Sequence, residues 1–346
     1  MRRAFVLNIS RNLARGFACA TLLGMAALPG LGSLIAFGAA PVAHAAEGDF
    51  PAKPIRLVVP FGAGGYGDTV ARLLGKALSD ELKVPIVVDV KAGGSTIIGT
   101  EIVARAAPDG YTLLMISTTH AVNPSLFRKL PYDPVADFAP VTLIDSTPYV
   151  LVANPAVPAK NLAELVAYAK ANPGKLSYGS SGPGSAINLT GELFKMATGT
   201  DILHVPYKGS GPALTDLIAG HIQLTFTSTI TALPYMKDGR LRGIAVTSAG
   251  RNSAAPDLPS VAESGHPAFE ASSWLGILAP AKTPAAIVSV LQRAIARALQ
   301  SPVVAAAMKA DGAEIGGGTP EAFAQFYAGE IRKWGMVIEK SGIKAE

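Results

Sequence analysis

The feature that most constrains this chain is a repeating unit: a short apolar run, a glycine-rich loop, then a segment with apolar residues at helical spacing. Ile55–Pro60 (IRLVVP) is rich in β-branched residues and leucine, the pattern of a strand buried on both faces. The loop Phe61–Gly67 follows, and Asp68 stands where an N-cap would. Val70, Leu73, Leu74, Ala77 and Leu78 then recur at steps of one, three and four, which predicts a helix over 69–82. Strand Pro85–Val90, loop Lys91–Thr96, a helix over 98–107 and strand Tyr111–Ile116 continue the order. Such alternation predicts a parallel sheet with helices on both faces. After Val141–Val152 the order restarts. A helix over 161–172 has a polar Asn161 start and a Pro173-Gly174 stop. Strand Leu176–Tyr178, a third Gly/Ser loop Gly179–Ser185, a helix over 186–198 and a strand ending at His204–Tyr207 follow. A helix runs from Pro212 to Gly220, and Ile222–Phe226 and Leu241–Thr247 read as strands. Three helices near 284–299, 302–310 and 320–340 close the chain, two with Thr-Pro starts at Thr283-Pro284 and Thr319-Pro320. Two α/β lobes fit this order better than one, with the last helices folding back onto the first lobe.

The first 45 residues stand apart. They hold Arg2, Arg3, Arg11 and Arg15 and no acid, then an uncharged run from Gly16 to Ala40, then Ala43-His44-Ala45, a small-x-small cut site. This is the layout of a cleaved export signal. The uncharged run is long enough for a membrane anchor, but Pro29, Gly30 and Gly32 interrupt it. Arg2-Arg3 loosely fits twin-arginine export as well as the general route. Cys19 has no apolar stretch before it, so it does not read as a lipidated cysteine. The whole chain of 346 residues has 30 basic and 25 acidic side chains. Cleavage after Ala45 removes four of those bases and the only cysteine. What remains is near neutral, thiol-free and without a basic stripe, which leaves nucleic-acid binding unsupported.

The glycine loops carry the functional signal. GAGGYG over Gly62–Gly67 satisfies the dinucleotide pattern G-x-G-x-x-G, with Asp89 near the end of the next strand. Pro60 and Phe61 displace the first glycine from the strand end, nicotinamide cofactors are scarce outside the cytoplasm, and no acid–base pair for hydride chemistry stands out. An exported nucleotide-dependent enzyme using Gly62–Gly67 is the alternative that this leaves. A Walker loop is excluded because Asp68 stands at its lysine. The physics that survives is simpler. A glycine loop that opens a helix presents free backbone N–H groups and the positive end of the helix dipole, which favour an anion. Three such loops occur, at 61–68, 92–96 and 179–185; the alternative is that each is only a tight turn.

No catalytic constellation appears. His120, His204, His221 and His266 lack metal-ligand spacing, Gly179–Gly182 lacks the G-x-S-x-G elbow, and no cysteine remains as a nucleophile. His204, in an apolar strand context, reads as a structural histidine, and Trp274 and Trp334 as packing residues. The expectation is a protein that is no enzyme and carries no cofactor or metal.

PAKPIRLVVPF over Pro51–Phe61, with its glycine loop and Asp68, resembles the opening of Bug-type periplasmic solute-binding proteins of the tripartite tricarboxylate transporters. Ala106–Leu114 (AAPDGYTLL), Leu130–Pro134, Asp137–Pro140, Gly191–Phe194, His204–Gly209, Pro212–Asp216, Ala245–Ser248, Phe269–Trp274 and Trp334-Gly335 continue the resemblance, which spans about 50–346. It implies a two-lobed α/β periplasmic binding protein fold of Venus-flytrap type. Each lobe would be a mostly parallel sheet flanked by helices, with a small organic carboxylate in the cleft between them. Residues 1–45 would be the signal, 46–150 plus 272–346 the first lobe and 151–271 the second. The first loop (Phe61, Gly62, Ala63, Gly64, Gly65, Tyr66, Asp68) and the second (Gly93, Gly94, Ser95, Thr96) would hold the carboxylate. Ser117, Thr118 and Asn123, then Ser180, Ser181, Gly182 and Ser185, would complete the cleft, with Tyr207, Lys208 and Thr227 from the second lobe. The receptor would act as a periplasmic monomer and hand its ligand to membrane permease subunits, or to a sensor protein, on lobe closure. The cleft departs from the family pattern. Two prolines are usual at Gly62 and Ala63, glycine at Tyr66, Asn at Ile97, His at Asn188 and Asp at Thr227. These exchanges imply a ligand with fewer polar groups at its far end.

Overall fold

The computed structural model describes residues 50–64, 66–310 and 312–344. The export-signal expectation for 1–45 and the placement of Gly65 lie outside them. The strands are β1 (Ile55–Val59), β2 (Ile86–Val90), β3 (Thr112–Ser117), β4 (Phe138–Ala153), β5 (Ser177–Ser180), β6 (Leu203–Pro206), β7 (Leu224–Ser228), β8 (Arg242–Val246), β9 (Ser272–Pro280) and β10 (Glu314–Ile315). The helices are α1 (Tyr66–Leu82), α2 (Ile97–Ala104), α3 (Thr118–Leu126), α4 (Leu162–Ala171), α5 (Ala186–Thr198), α6 (Ser210–Ala219), α7 (Thr229–Lys237), α8 (Ala285–Leu299), α9 (Pro302–Ala310) and α10 (Pro320–Ser341).

The strands form one sheet in the order β2-β1-β3-β9-β4-β7-β5-β6, with β8 and β10 also paired to β4. The pairs β1–β2, β1–β3, β5–β6 and β5–β7 are parallel, as the strand–helix alternation predicts. β9 is antiparallel to both β3 and β4, and β4 is antiparallel to β7 and β8. The sheet is therefore mixed, not wholly parallel. Its exceptions are the strands by which the chain crosses between the two halves. β4 pairs with β9 as far as Pro148↔Ser272, then with β7 from Tyr149↔Ser228. The return crossing enters β9 at Ser272, so the two crossings lie side by side.

The central strands bury two faces, which is why β1, β3 and β4 read as apolar runs, while the edge strands β2 and β6 expose Val87 and Leu203. In β3, Leu114 and Ile116 join one core and Leu113 and Met115 the other. α1, α8 and α9 cover one face of the first half. α10 packs against α3, α5 and β4 and so spans both halves. α4 and α10 follow their sequence signals: Asn161 caps α4 through the Glu164 N–H, and Thr319 caps α10 through Ala322 with Pro320 at the first position.

Three local expectations are corrected. α1 starts at Tyr66, so Asp68 lies inside its first turn; its carboxylate reaches back to the Gly64 N–H at 2.8 Å and pairs with Arg72 at 2.9 Å. α6 starts at Ser210, two residues before Pro212. Thr283 does not cap α8, because its hydroxyl donates to the Pro280 carbonyl at 2.7 Å. α3, α7 and β9 carry no element prediction. α3 and α7 are short and contain Pro124 and Pro234, and Gly276 interrupts β9, where any Cβ would collide with the Phe323 ring.

Both tryptophans are packing residues with a shared polar anchor. Trp274 and Trp334 are each 1% exposed, and both indole N–H groups donate to Glu330 Oε2 at 2.8 Å. Lys333 pairs with the other carboxylate oxygen. Glu330→Leu leaves two buried N–H groups without an acceptor and should lower the unfolding free energy by about 3 kcal/mol. Glu330→Gln, which keeps an oxygen there, should cost distinctly less. Urea unfolding followed by tryptophan fluorescence measures both.

Candidate functional site

The site is built where strands of both halves end and helices begin. α3 starts directly after β3, and its N-cap Ser117 makes no side-chain cap bond. The first-turn N–H groups of α3 are thus left to water or a ligand. α5 faces the same space from the other half. Its cap, Ser185, accepts from the Asn188 N–H at 3.3 Å and donates to the Gly182 carbonyl at 2.7 Å. Between them lies a cavity of about 400 Å³. Its polar lining is Ser95, Thr118, Thr119, Asn123 and Ser185; Val122, Leu126 and Leu189 supply the apolar part. Lys344, just past α10, is the one charged side chain in the wall among the described residues.

The polar groups are fixed. Asn123, fully buried, donates to the Ser95 carbonyl at 2.8 Å and lies 3.4 Å from Thr96 Oγ1, which ties the second loop to α3. Thr118 Oγ1 lies 3.5 Å from the Ser272 carbonyl and accepts from the Trp274 N–H at 3.3 Å, which ties α3 to the return crossing.

A second cavity of about 310 Å³ opens at the crossing itself. It is lined by Tyr66, Thr147, Tyr149, Ser228, Ile230 and Ser273. The Tyr66 hydroxyl donates to Asp145 at 2.6 Å, and Asp145 also accepts from the Leu275 N–H. Burial pushes the Tyr149 phenol up to about 12, against the opposing effect of the Ser273 hydroxyl.

Of the residues expected from the sequence, Ser95, Thr118, Asn123 and Ser185 meet at the first cavity, and Tyr66 lines the second. The others lie outside both walls. The Phe61 ring rests on Gly67; Gly62, Ala63 and Gly64 are exposed; and Asp68 serves the start of α1. Gly93 and Gly94 are exposed with positive φ, and Thr96 is buried. Ser117 precedes α3. Ser180 is fully buried 2.6 Å from His204 Nε2, with Ser181 and Gly182 in the turn after it. Tyr207 donates to Asp216 at 2.7 Å, which with burial raises its pKa to about 12. Lys208 is exposed, and Thr227 is buried in β7 opposite Val150. Asn188 braces the third loop: it accepts from the Gly184 N–H at 2.9 Å and donates to Tyr178 at 2.8 Å. The reading missed Thr119, Thr147, Tyr149, Ser228, Ile230, Ser273 and Lys344. Ser228-Thr229, after the apolar β7 run, is a cap signal that would have found α7 and its first turn.

The catalytic alternatives find little chemistry here. Asp89, the acid of the dinucleotide pattern, is held by Arg56 and Lys91. Ser180 and His204 have a nucleophile–base distance, but Ser180 is 0% exposed. Among the described residues no group of three or more His, Cys, Asp or Glu could hold a metal ion, and no helix is long and apolar enough to cross a membrane.

α3 is braced from behind by His120, 1% exposed, which stacks on Tyr132 with centroids 5.7 Å apart and packs against Phe138 and Tyr327. Burial pulls its pKa down to about 4 from 6.5. The folded state keeps this imidazole neutral while the unfolded chain takes up a proton, so its stabilising effect is complete above pH 6.5 and declines as pH falls towards 4. The unfolding free energy should drop by up to about 3 kcal/mol over that interval. His120→Phe should remove most of that slope in urea titrations across the range.

Residues 70–343 match the family model TctC, "Tripartite tricarboxylate transporter family receptor". Protein BugT of Bordetella pertussis is 40% identical over 297 residues, covering 85% of this chain and 91% of that protein. A solved structure described as a periplasmic transporter is 44% identical, with a TM-score of 0.68 and coverage of 85% of this chain and 99% of that one. An R. palustris protein solved with adipate is 37% identical, with a TM-score of 0.68 and coverage of 86% and 99%.

Proposed function

This chain belongs to the tripartite tricarboxylate transporter family of receptors, and we propose that it binds a small organic carboxylate between the two halves of its sheet and hands it to a membrane permease. Receptors of this family are periplasmic solute-binding proteins; residues 1–45 then serve as the cleaved export signal. The halves 46–150 plus 272–346 and 151–271 act as lobes, and Pro148–Tyr149 and Ala271–Ser272 as the paired hinge strands. Closure shifts the population towards the form in which the ligand touches both lobes.

The observation that carries this reading is the uncapped N-terminus of α3 opening on a hydroxyl-lined cavity that α5 closes from the other half. A carboxylate there receives backbone N–H groups, the Thr119 hydroxyl and the dipole of α3, each helix end contributing roughly 0.3–1 kcal/mol. Lys344 adds the one side-chain charge. The adipate held by the R. palustris relative supports the same ligand class. Ser95, Thr118, Asn123 and Ser185 are the binding residues nearest this anion, with the remaining loop residues shaping the cleft.

Isothermal titration calorimetry and thermal shift with a panel of organic acids and nucleotides test it. A bound carboxylate at 100-fold its Kd should stabilise the fold by about 2.7 kcal/mol. Thr119→Val, which keeps the shape and removes the hydroxyl, should weaken binding by about 1.5 kcal/mol, roughly tenfold in Kd. Stabilisation by nucleotides and by no carboxylate would overturn the reading.

A further inference from the structure

We infer that the second cavity is the subsite for an uncharged, apolar body of the ligand, and that Tyr66 and Ile230 set what enters it. The inference rests on the carboxylate-receptor reading and specifies the ligand class: a carboxylate at one end and no charge at the other.

The cavity lies at the crossing of the sheet. Its floor is two register pairs, Thr147 opposite Ser273 and Tyr149 opposite Ser228. Residues two apart on a strand share a face, so Thr147 and Tyr149 point the same way. One wall, Tyr66, comes from the start of α1 in the first half. The other, Ile230, comes from the first turn of α7 in the second. A molecule in this space touches both halves, and the point where a strand changes partners is where open α/β sheets leave room for a ligand.

The chemistry of the wall is apolar with short hydroxyls. Two phenol rings and one isoleucine face it, and among the described residues none of its lining side chains is charged. The Thr147 hydroxyl is buried and has no hydrogen-bond partner among the described residues. A second carboxylate placed here would leave water without a counter-charge, and would stand near Asp145, the acid that takes the Tyr66 hydroxyl. An alkyl chain or ring meets no such penalty. The bond to Asp145 also fixes Tyr66, so its ring is a set wall and its ordering is settled before the ligand arrives. The two cavities meet the same stretch of β9: Thr118, in the wall of the first, bonds the backbone of Ser272 and Trp274, which flank Ser273 of the second. A ligand whose carboxylate meets the first turn of α3 can extend its other end past Ser273 towards Tyr66 and Tyr149.

Hexanoate and adipate have the same six-carbon chain and differ only in the second carboxylate, so calorimetry with this pair is the test. The unmodified protein should bind hexanoate at least tenfold more tightly than adipate. Tyr66→Gly should weaken hexanoate about fivefold while moving adipate by less than twofold. Ile230→Lys, at a position 40% exposed and tolerant of a long side chain, should reverse the preference. Adipate binding as tightly as hexanoate or more tightly in the unmodified protein would overturn the inference and leave the receptor reading intact, because a carboxylate would then have bound. Failure of these two acids and of every other carboxylate to bind would overturn both.

Discussion

β4 runs for sixteen residues, shifting register at Pro140/Thr142 and Leu143/Asp145 against β9 and at Leu151/Val152 against β8, while it exchanges one set of neighbours for another, and the rest of the molecule is arranged around that exchange. Up to Pro148 its partner is β9; from Tyr149 its partners are β7 and β8. Its side chains still alternate faces. Leu151 and Ala153 enter the core beneath α10, and Val150 and Val152 enter the core of the second half. The second cavity sits over the point where the partners change, on the pairs Thr147–Ser273 and Tyr149–Ser228, and the starts of α1 and α7 supply its walls.

The strand–helix order was legible because strands buried on both faces leave uninterrupted apolar runs and helices leave their own period. β1, α1, β2, β3 and α10 all announced themselves in this way. β9 and α3 did not. Gly276 is demanded by the Phe323 ring packed on it, and Pro124 sits in a nine-residue helix that holds its place through Asn123 and the aromatic cluster at His120. Those reasons are tertiary and leave no local pattern. The site was legible in the same partial way. Ser185 lies in a glycine loop that precedes a helical pattern, so the sequence itself offered it; Thr118 and Asn123 were expected only through the family resemblance, because α3 left no pattern of its own. Thr147, Tyr149 and Ser273 line a cavity only because β4 and β9 are neighbours, a pairing between residues more than a hundred positions apart.

The glycines of the first loop show how a motif can mislead. Gly62 and Gly64 are exposed, and the acid expected at the helix cap lies inside the first turn, where it accepts the Gly64 N–H and pairs with Arg72. These interactions hold the carboxylate of Asp68 below its ordinary pKa and keep it charged at the mouth of the loop. A phosphate approaching that loop would meet a negative charge, which removes the advantage that its free backbone N–H groups would otherwise offer.

In the proposed receptor, anion preference rests on which helix starts are already occupied. Ser185 and Ser228 spend their oxygens on the first turns of α5 and α7, and Asp68 puts a negative charge at the start of α1. Ser117 does not cap α3, so that helix brings unanswered N–H groups to the cavity, and α2, whose N-cap Thr96 also makes no side-chain cap bond, starts beside Ser95 in the same wall. Four of the five surplus basic charges of the whole chain lie in the first 45 positions, and the rest of the chain is nearly neutral. An anion held by backbone dipoles keeps its position without a flexible cation to follow it, and its hold is less sensitive to salt than that of exposed ion pairs. On the proposed reading the charged end of a ligand rests on backbone that side-chain exchange scarcely alters, and selectivity rests on the opposite end, at Tyr66, Ile230 and the hydroxyls around the crossing.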